Sequence, residues 1–213
     1  MFEKIKKAFN HQEEQVSVNG LLSGSHVAIL ATDGFEQSEL FEPLEALQEA
    51  GAKVSIVSIK SGKIKGWNHT HWGKTIPVDL TVNQANREKF DFLMLPGGVM
   101  NPDQLRNNYN AVAFVKNFVN EYRPIAAICH GAQTLIETGL LKGKRMTSWP
   151  SLKTDFINAG ARWVDEEVVK DTLLVTSRMP KDIPAFNREM IQLFSEYKNQ
   201  HPISDSESYV VTL

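Results

Sequence analysis

Three consecutive pieces between residues 26 and 59 decide the fold: HVAILAT (His26–Thr32), EQSELFEPLEALQEAG (Glu36–Gly51) and KVSIVSI (Lys53–Ile59). The first is a continuous apolar run, the pattern of a strand covered on both faces, and Asp33-Gly34 punctuates its end. In the second, Leu40, Leu44 and Leu47 recur at spacings of four and three, so it reads as a helix with Gly51 at its C-terminal stop. Pro43 lies inside that helix and is expected to kink or restart it. The third is again a strand, so these residues form a strand–helix–strand unit, which requires parallel strands joined by a crossover helix.

The same order recurs downstream. Strands are predicted at Asp91–Leu95, Pro124–Cys129, Arg145–Ser148 and Leu173–Ser177. Helices are predicted at Ala111–Tyr122, His130–Glu137, Leu152–Ala159 and Pro184–Tyr197. Arg162–Val164 and Glu167–Val169 are expected to pair as a small hairpin or edge ribbon, and Lys60–Asp79 reads as a polar excursion carrying short strands. With 213 residues and about 150 per typical domain, one α/β domain over residues 25–197 is expected, between an N-terminal tail 1–24 and a C-terminal tail 198–213. Phe2, Ile5 and Phe9 have helical spacing beside Lys4, Lys6 and Lys7, but a loose tail is the preferred reading.

Composition removes several function classes. The balance of 23 Lys+Arg against 25 Asp+Glu leaves a net charge of −2, so no basic surplus points to nucleic acid or an anionic membrane. No apolar stretch approaches the roughly 18 residues of a membrane span and no secretory core is seen, so a cytoplasmic address is expected. The single cysteine, Cys129, excludes an internal disulfide and a cysteine metal cluster within one chain. His69 and His71 in WNHTHWG alternate as ligands on one strand face would, but no third ligand lies near, so a loop or rim role is expected and no metal. No phosphate-binding glycine loop is present, so no nucleotide cofactor is expected.

The chemistry concentrates at Ala127-Ile128-Cys129-His130-Gly131-Ala132. Between a strand and a helix, a small-x-nucleophile-x-Gly pattern is a nucleophile elbow: the nucleophile takes a strained backbone conformation and its neighbours two residues away come too close for bulk. The following helix start would favour the thiolate. A lone strand-end cysteine is often just a small buried hydrophobe. An inert cysteine needs neither the flanking His130 and Gly131 nor the turn, and this decides for a reactive thiol. Leu95-Pro96-Gly97-Gly98 ends another strand, where Gly97 and Gly98 can offer backbone N–H groups to an oxyanion. Glu36 and Glu39 share one face of the first helical turn and would collect at the same end of the sheet; the plainer role for acidic residues there is to complement the helix dipole.

The motifs AICHGA, LPGG, DGFEQSEL and TSWPSLKTDFINAGARWVDEEVV resemble PfpI-type members of the ThiJ/PfpI (DJ-1) superfamily, relatives of class I glutamine amidotransferases. The resemblance runs from about Ser25 to Tyr197. It implies a flavodoxin-like parallel sheet sandwiched between helices, with Cys129 as nucleophile and His130 as its base. It further implies that Asp103, after the Gly-Gly turn, orients the histidine of an adjacent subunit, which makes a homodimer or higher homo-oligomer the working unit. The glutamate that meets the thiol maps onto Glu39, with Glu36 as the competing choice, and Trp149 matches an aromatic position near the pocket, although a half-buried aromatic at a strand end explains it nearly as well. The activity implied is that of a cysteine-dependent stress-response hydrolase acting on reactive carbonyls or glycated amines, deglycase or glyoxalase in kind. A PfpI-type intracellular cysteine peptidase and a non-enzymatic redox-sensing stress protein or chaperone are the alternatives. Amidotransferase chemistry is disfavoured, because no His-x-Glu pair lies near the C-terminus to complete that triad.

Overall fold

A computed structural model describes residues 18–201. Within the opening unit, β1 (His26–Leu30), α1 (Gln37–Glu49) and β2 (Lys53–Ser58) form as the apolar pattern dictates, and β1 and β2 pair in parallel. Pro43 does not break α1. It removes one hydrogen bond, to the carbonyl four residues back, and its ring is buried.

The polar excursion is a hairpin of β3 (Lys63–Asn68) and β4 (His71–Pro77), followed by the short strand β5 (Leu80–Thr81). Next come β6 (Phe92–Leu95), α2 (Met100–Arg106), α3 (Tyr109–Asn120) and β7 (Ile125–Ile128). The predicted helix at 130–137 is two pieces, a 3₁₀ turn over Cys129–Ala132 and a single α-turn, α4 (Gln133–Ile136). The remaining elements are β8 (Arg145–Met146), α5 (Lys153–Asn158), β9 (Arg162–Trp163), β10 (Val168–Asp171), β11 (Leu174–Ser177) and α6 (Ile183–Gln200).

The main sheet has the order β10-β11-β7-β6-β1-β2-β5, and every neighbouring pair is parallel except β10 with β11. Its five central strands, renumbered along the chain, follow 2-1-3-4-5, the flavodoxin-like order, whose switch point lies between β1 and β6. One face carries α1 and α6, where Phe194 stacks on Phe92 with centroids 4.3 Å apart; the other carries Phe114, Phe118, Leu135 and Phe156.

Two expectations need correction. The hairpin of 162–164 with 167–169 does not form: β9 pairs in parallel with β8, and β10 pairs with β11. The residues between β9 and β10 are tied outward instead, Asp165 to Arg178 and Glu166 to Arg145, while the tight Thr172-Leu173 connection folds β10 onto the strand that follows it. The folded unit is also longer than 25–197. Leu22 is fully buried with its N–H on the Ala50 carbonyl, and α6 continues to Gln200, where Lys198 reaches the carbonyl of Ser23 at 2.5 Å. The segment holding Phe2, Ile5 and Phe9, and the residues after His201, lie outside the described residues.

Candidate active site

Strand β7 delivers Cys129 to the C-terminal edge of the sheet. Ile128 is still extended, with φ −120° and ψ 144°, and Cys129 turns to φ 61°, a left-handed conformation for a residue with a side chain. Such a residue stores strain of about 1–3 kcal/mol and persists only where its surroundings impose it. Gly131 shows how tight the turn is. A Cβ there would stand 2.5 Å from the Leu95 carbonyl oxygen and 2.6 Å from that of Pro96. The strained elbow read from the sequence is thus present in the backbone.

Glu39 meets this elbow from α1. Its side chain is fully buried; Oε2 accepts the Gly97 N–H at 3.0 Å, Oε1 has no hydrogen-bond partner among the described residues, and the carboxyl lies close enough to Cys129 for its charge to act on the thiol. Gly97 is required for this approach, since a Cβ on it would lie 2.4 Å from Glu39 Oε2 and 2.7 Å from Cys129 Cβ. Burial, reinforced by the nearby charge of Glu36, pushes the Glu39 carboxyl up to about 8, so it is mostly protonated at neutral pH. The Glu36 side chain acts on the site through that field, while its backbone N–H donates to the Gly97 carbonyl at 3.2 Å. It stands at the N-terminal cap of α1, where Ser38 Oγ donates to it at 3.3 Å.

The expectation of a thiol acidified by the following helix does not hold. Burial and the charge of an ionised Glu39 push the Cys129 thiol up, against the N–H groups of His130 and Gly98, which point at the sulfur and favour its anion. The physical reason is burial first: leaving water costs the thiolate more than the N–H groups at the short 3₁₀ turn return, and an ionised Glu39 adds to that cost. A neutral carboxyl at Glu39 removes the opposing charge, so the pair must be read as one coupled unit.

His130 Nδ1 lies 3.4 Å from Cys129 Sγ, and burial pushes the imidazole down, which keeps it in the neutral, proton-accepting form. Trp149 stacks over it, with centroids 5.7 Å apart and an interplanar angle of 25°, and the Trp149 backbone N–H donates to the Cys129 carbonyl at 3.3 Å. Glu39, Gly97, Gly98, Cys129, His130 and Trp149 therefore come together at the ends of β1, β6 and β7. Asp103 does not join them within the chain. It is exposed on α2 and makes no hydrogen bond among the described residues. His69 and His71 stand at the tip of the β3–β4 hairpin, His69 at φ 53° with its carbonyl accepting from Trp67 Nε1.

One residue of the site escaped the sequence reading. Asn101 is fully buried; its Nδ2 donates to the carbonyls of Pro96 at 2.8 Å and Gly97 at 3.1 Å, and its Oδ1 accepts the Thr32 N–H at 2.8 Å. It ties the end of β1 to the Gly-Gly turn and so fixes where Gly98 presents its N–H. Followed by Pro102, it reads in sequence as an ordinary turn residue. Asn101→Ala is expected to lower stability by on the order of 3 kcal/mol, because the buried Thr32 N–H and Pro96 carbonyl lose their partner and the Gly97 carbonyl keeps only the Glu36 N–H; denaturant unfolding measures it, and a loss under about 0.5 kcal/mol would contradict the role.

A profile of the DJ-1/PfpI family matches residues 25–193. The chain belongs to the DJ-1/PfpI family. Among curated DJ-1/PfpI relatives, a deglycase of Pyrococcus abyssi is 46% identical over 167 residues, 78% of this chain and 98% of its own length. General stress protein 18 of Bacillus subtilis is 42% identical over 175 residues, 81% of this chain and 99% of its own. Among solved structures, a two-domain protein of Anabaena variabilis with DJ-1/ThiJ/PfpI-like and ferritin-like domains superposes with a TM-score of 0.75 at 36% identity. The match covers 79% of this chain and 47% of that one, so this chain spans about half of the two-domain protein.

Proposed function

We propose that this DJ-1/PfpI protein is a cysteine-dependent hydrolase acting on reactive carbonyls or glycated amines. The observation that carries the reading is Cys129 at φ 61°, its sulfur facing the N–H groups of Gly98 and His130 with Glu39 pressed against it. The deglycase name of the Pyrococcus abyssi relative supports the substrate class.

The neutral His130 ring takes the thiol proton through Nδ1 while the sulfur bonds to the carbonyl carbon. The displaced electron pair goes to the carbonyl oxygen, and the N–H groups of Gly98 and His130, released from the sulfur, hold that oxyanion. At neutral pH Glu39 is mostly uncharged, so the carboxyl does not repel the sulfur as it becomes anionic. Exposed Asp103 orients His130 of a second copy, and a homo-oligomer is the active unit. Trp149 covers one side of the imidazole and restricts the site to small carbonyl groups.

A substrate panel tests this on the purified full chain: methylglyoxal, methylglyoxal-treated N-acetyl-lysine and N-acetyl-cysteine, and fluorogenic peptides. Turnover of the first three without peptide cleavage is expected, and His130→Ala is expected to lower it about 100- to 10,000-fold. Peptide cleavage with no carbonyl turnover would make the protein a peptidase instead.

A further inference from the structure

At the opposite end of β7 from Cys129 the structure contains a cavity of about 360 Å³. Ile125 and Leu174, the first residues of β7 and β11, form its floor, and Val119, Leu135 and Leu141 its walls. The backbone around it is already paired: the N–H of Ile125 bonds to the Leu173 carbonyl, that of Arg123 to Phe118, and that of Lys144 to Leu141. The interior therefore offers apolar surface and little for water to bond to, and its volume falls within the range of small-ligand pockets.

The mouth differs in kind. Tyr122 is 76% exposed and Leu140 39%, so two large apolar side chains stand in solvent there, although most large apolar residues are covered. Beside them lie Lys144 and Arg123. None of the ion pairs among the described residues includes Lys144, and Arg123 touches Asp91 only at 3.4 Å. Asp171, close enough to Lys144 to sense its charge, is occupied by the Arg145 N–H at 2.5 Å and by Thr172 Oγ1 at 3.0 Å. Tyr122 at φ 53° and the β-branched Thr172 at φ 56° hold the rim in strained turns.

We propose that this cavity is a second binding site, for a small monocarboxylate with an apolar tail. The tail lies against Leu135, Leu141 and Leu174, and the carboxylate meets the Lys144 ammonium with Arg123 beside it. The charge at the mouth selects the ligand: an apolar floor under a spare cation suits an amphipathic anion better than a neutral or cationic molecule. The site does not depend on the reaction at Cys129.

Octanoate and 1-octanol are the probes, titrated into the full chain and followed by calorimetry and leucine-methyl NMR. Octanoate is expected to bind saturably with a Kd at or below about 1 mM and to shift the methyl signals of Leu135, Leu141 and Leu174. Lys144→Glu should weaken octanoate at least tenfold and octanol less than threefold, and Val119→Trp, which fills the cavity, should weaken both. Unchanged octanoate affinity in Lys144→Glu, shifts confined to leucines elsewhere, or no saturable octanoate binding would each overturn the site. The alkylation rate of Cys129 in both variants, matched to the parent, verifies that the fold is intact.

Discussion

Cys129→Ser should reduce turnover of methylglyoxal and of glycated amines at least about a thousandfold while leaving the protein folded. The expectation follows from what the site does for sulfur and cannot do for oxygen. A serine hydroxyl is far less acidic than a thiol, and the imidazole beside it is held neutral by burial, with no carboxylate hydrogen-bonded to its ring among the described residues of the same chain. The two N–H groups directed at the sulfur would still hold an oxyanion, so a small residue of activity is expected. The fold should tolerate the change, since φ 61° at this position is imposed by the close approach of Gly131 to the Leu95 and Pro96 carbonyls and not by the side chain. Steady-state rates with matched thermal midpoints measure the effect. A serine variant retaining more than about a tenth of parental turnover would remove the thiol from the mechanism. A parent without turnover whose thiol oxidises selectively under mild peroxide would favour redox sensing instead.

The apolar runs and the elbow could be read from the sequence because each is a local pattern. HVAILAT and KVSIVSI carry their burial in their own residues, and a cysteine between small residues at a strand-to-helix turn announces its backbone conformation. What could not be read depends on partners remote in sequence. Glu36 and Glu39 are equivalent in a helical pattern, and only the packing of α1 against the Gly97 turn buries Glu39 and leaves Glu36 at a cap. The partner of Arg162-Trp163 is β8, which precedes it by 17 residues in register, a choice no hairpin pattern encodes. Asn101 became part of the site through carbonyls of the preceding turn and an amide 69 positions away. The thiol's acidity was misjudged for the same reason: helix position is local, but burial and a facing carboxyl are tertiary.

Glu39→Gln should abolish a pH dependence of stability that the parent shows between about pH 4.5 and 8. The parent carboxyl titrates near 4.5 when unfolded and is raised to about 8 in the fold. The folded state therefore binds the extra proton across this window, so the associated stability is complete below pH 4.5 and is lost as pH rises through 8. The loss is on the order of 5 kcal/mol, from the size of the shift at about 1.4 kcal/mol per unit. Glutamine keeps the shape and can still take the Gly97 N–H through its carbonyl oxygen, while its uncharged amide takes the place of the protonated acid beside Cys129. The variant should thus nearly match the parent at pH 5 and exceed it by several kcal/mol at pH 8.5, with His26 and His130 contributing equally to both proteins. Urea unfolding at half-unit steps of pH measures the two curves. Parallel curves would mean that Glu39 ionises in the fold as it does in water, and the uncharged carboxyl beside Cys129, on which the reactive state of the thiol depends, would have to be given up.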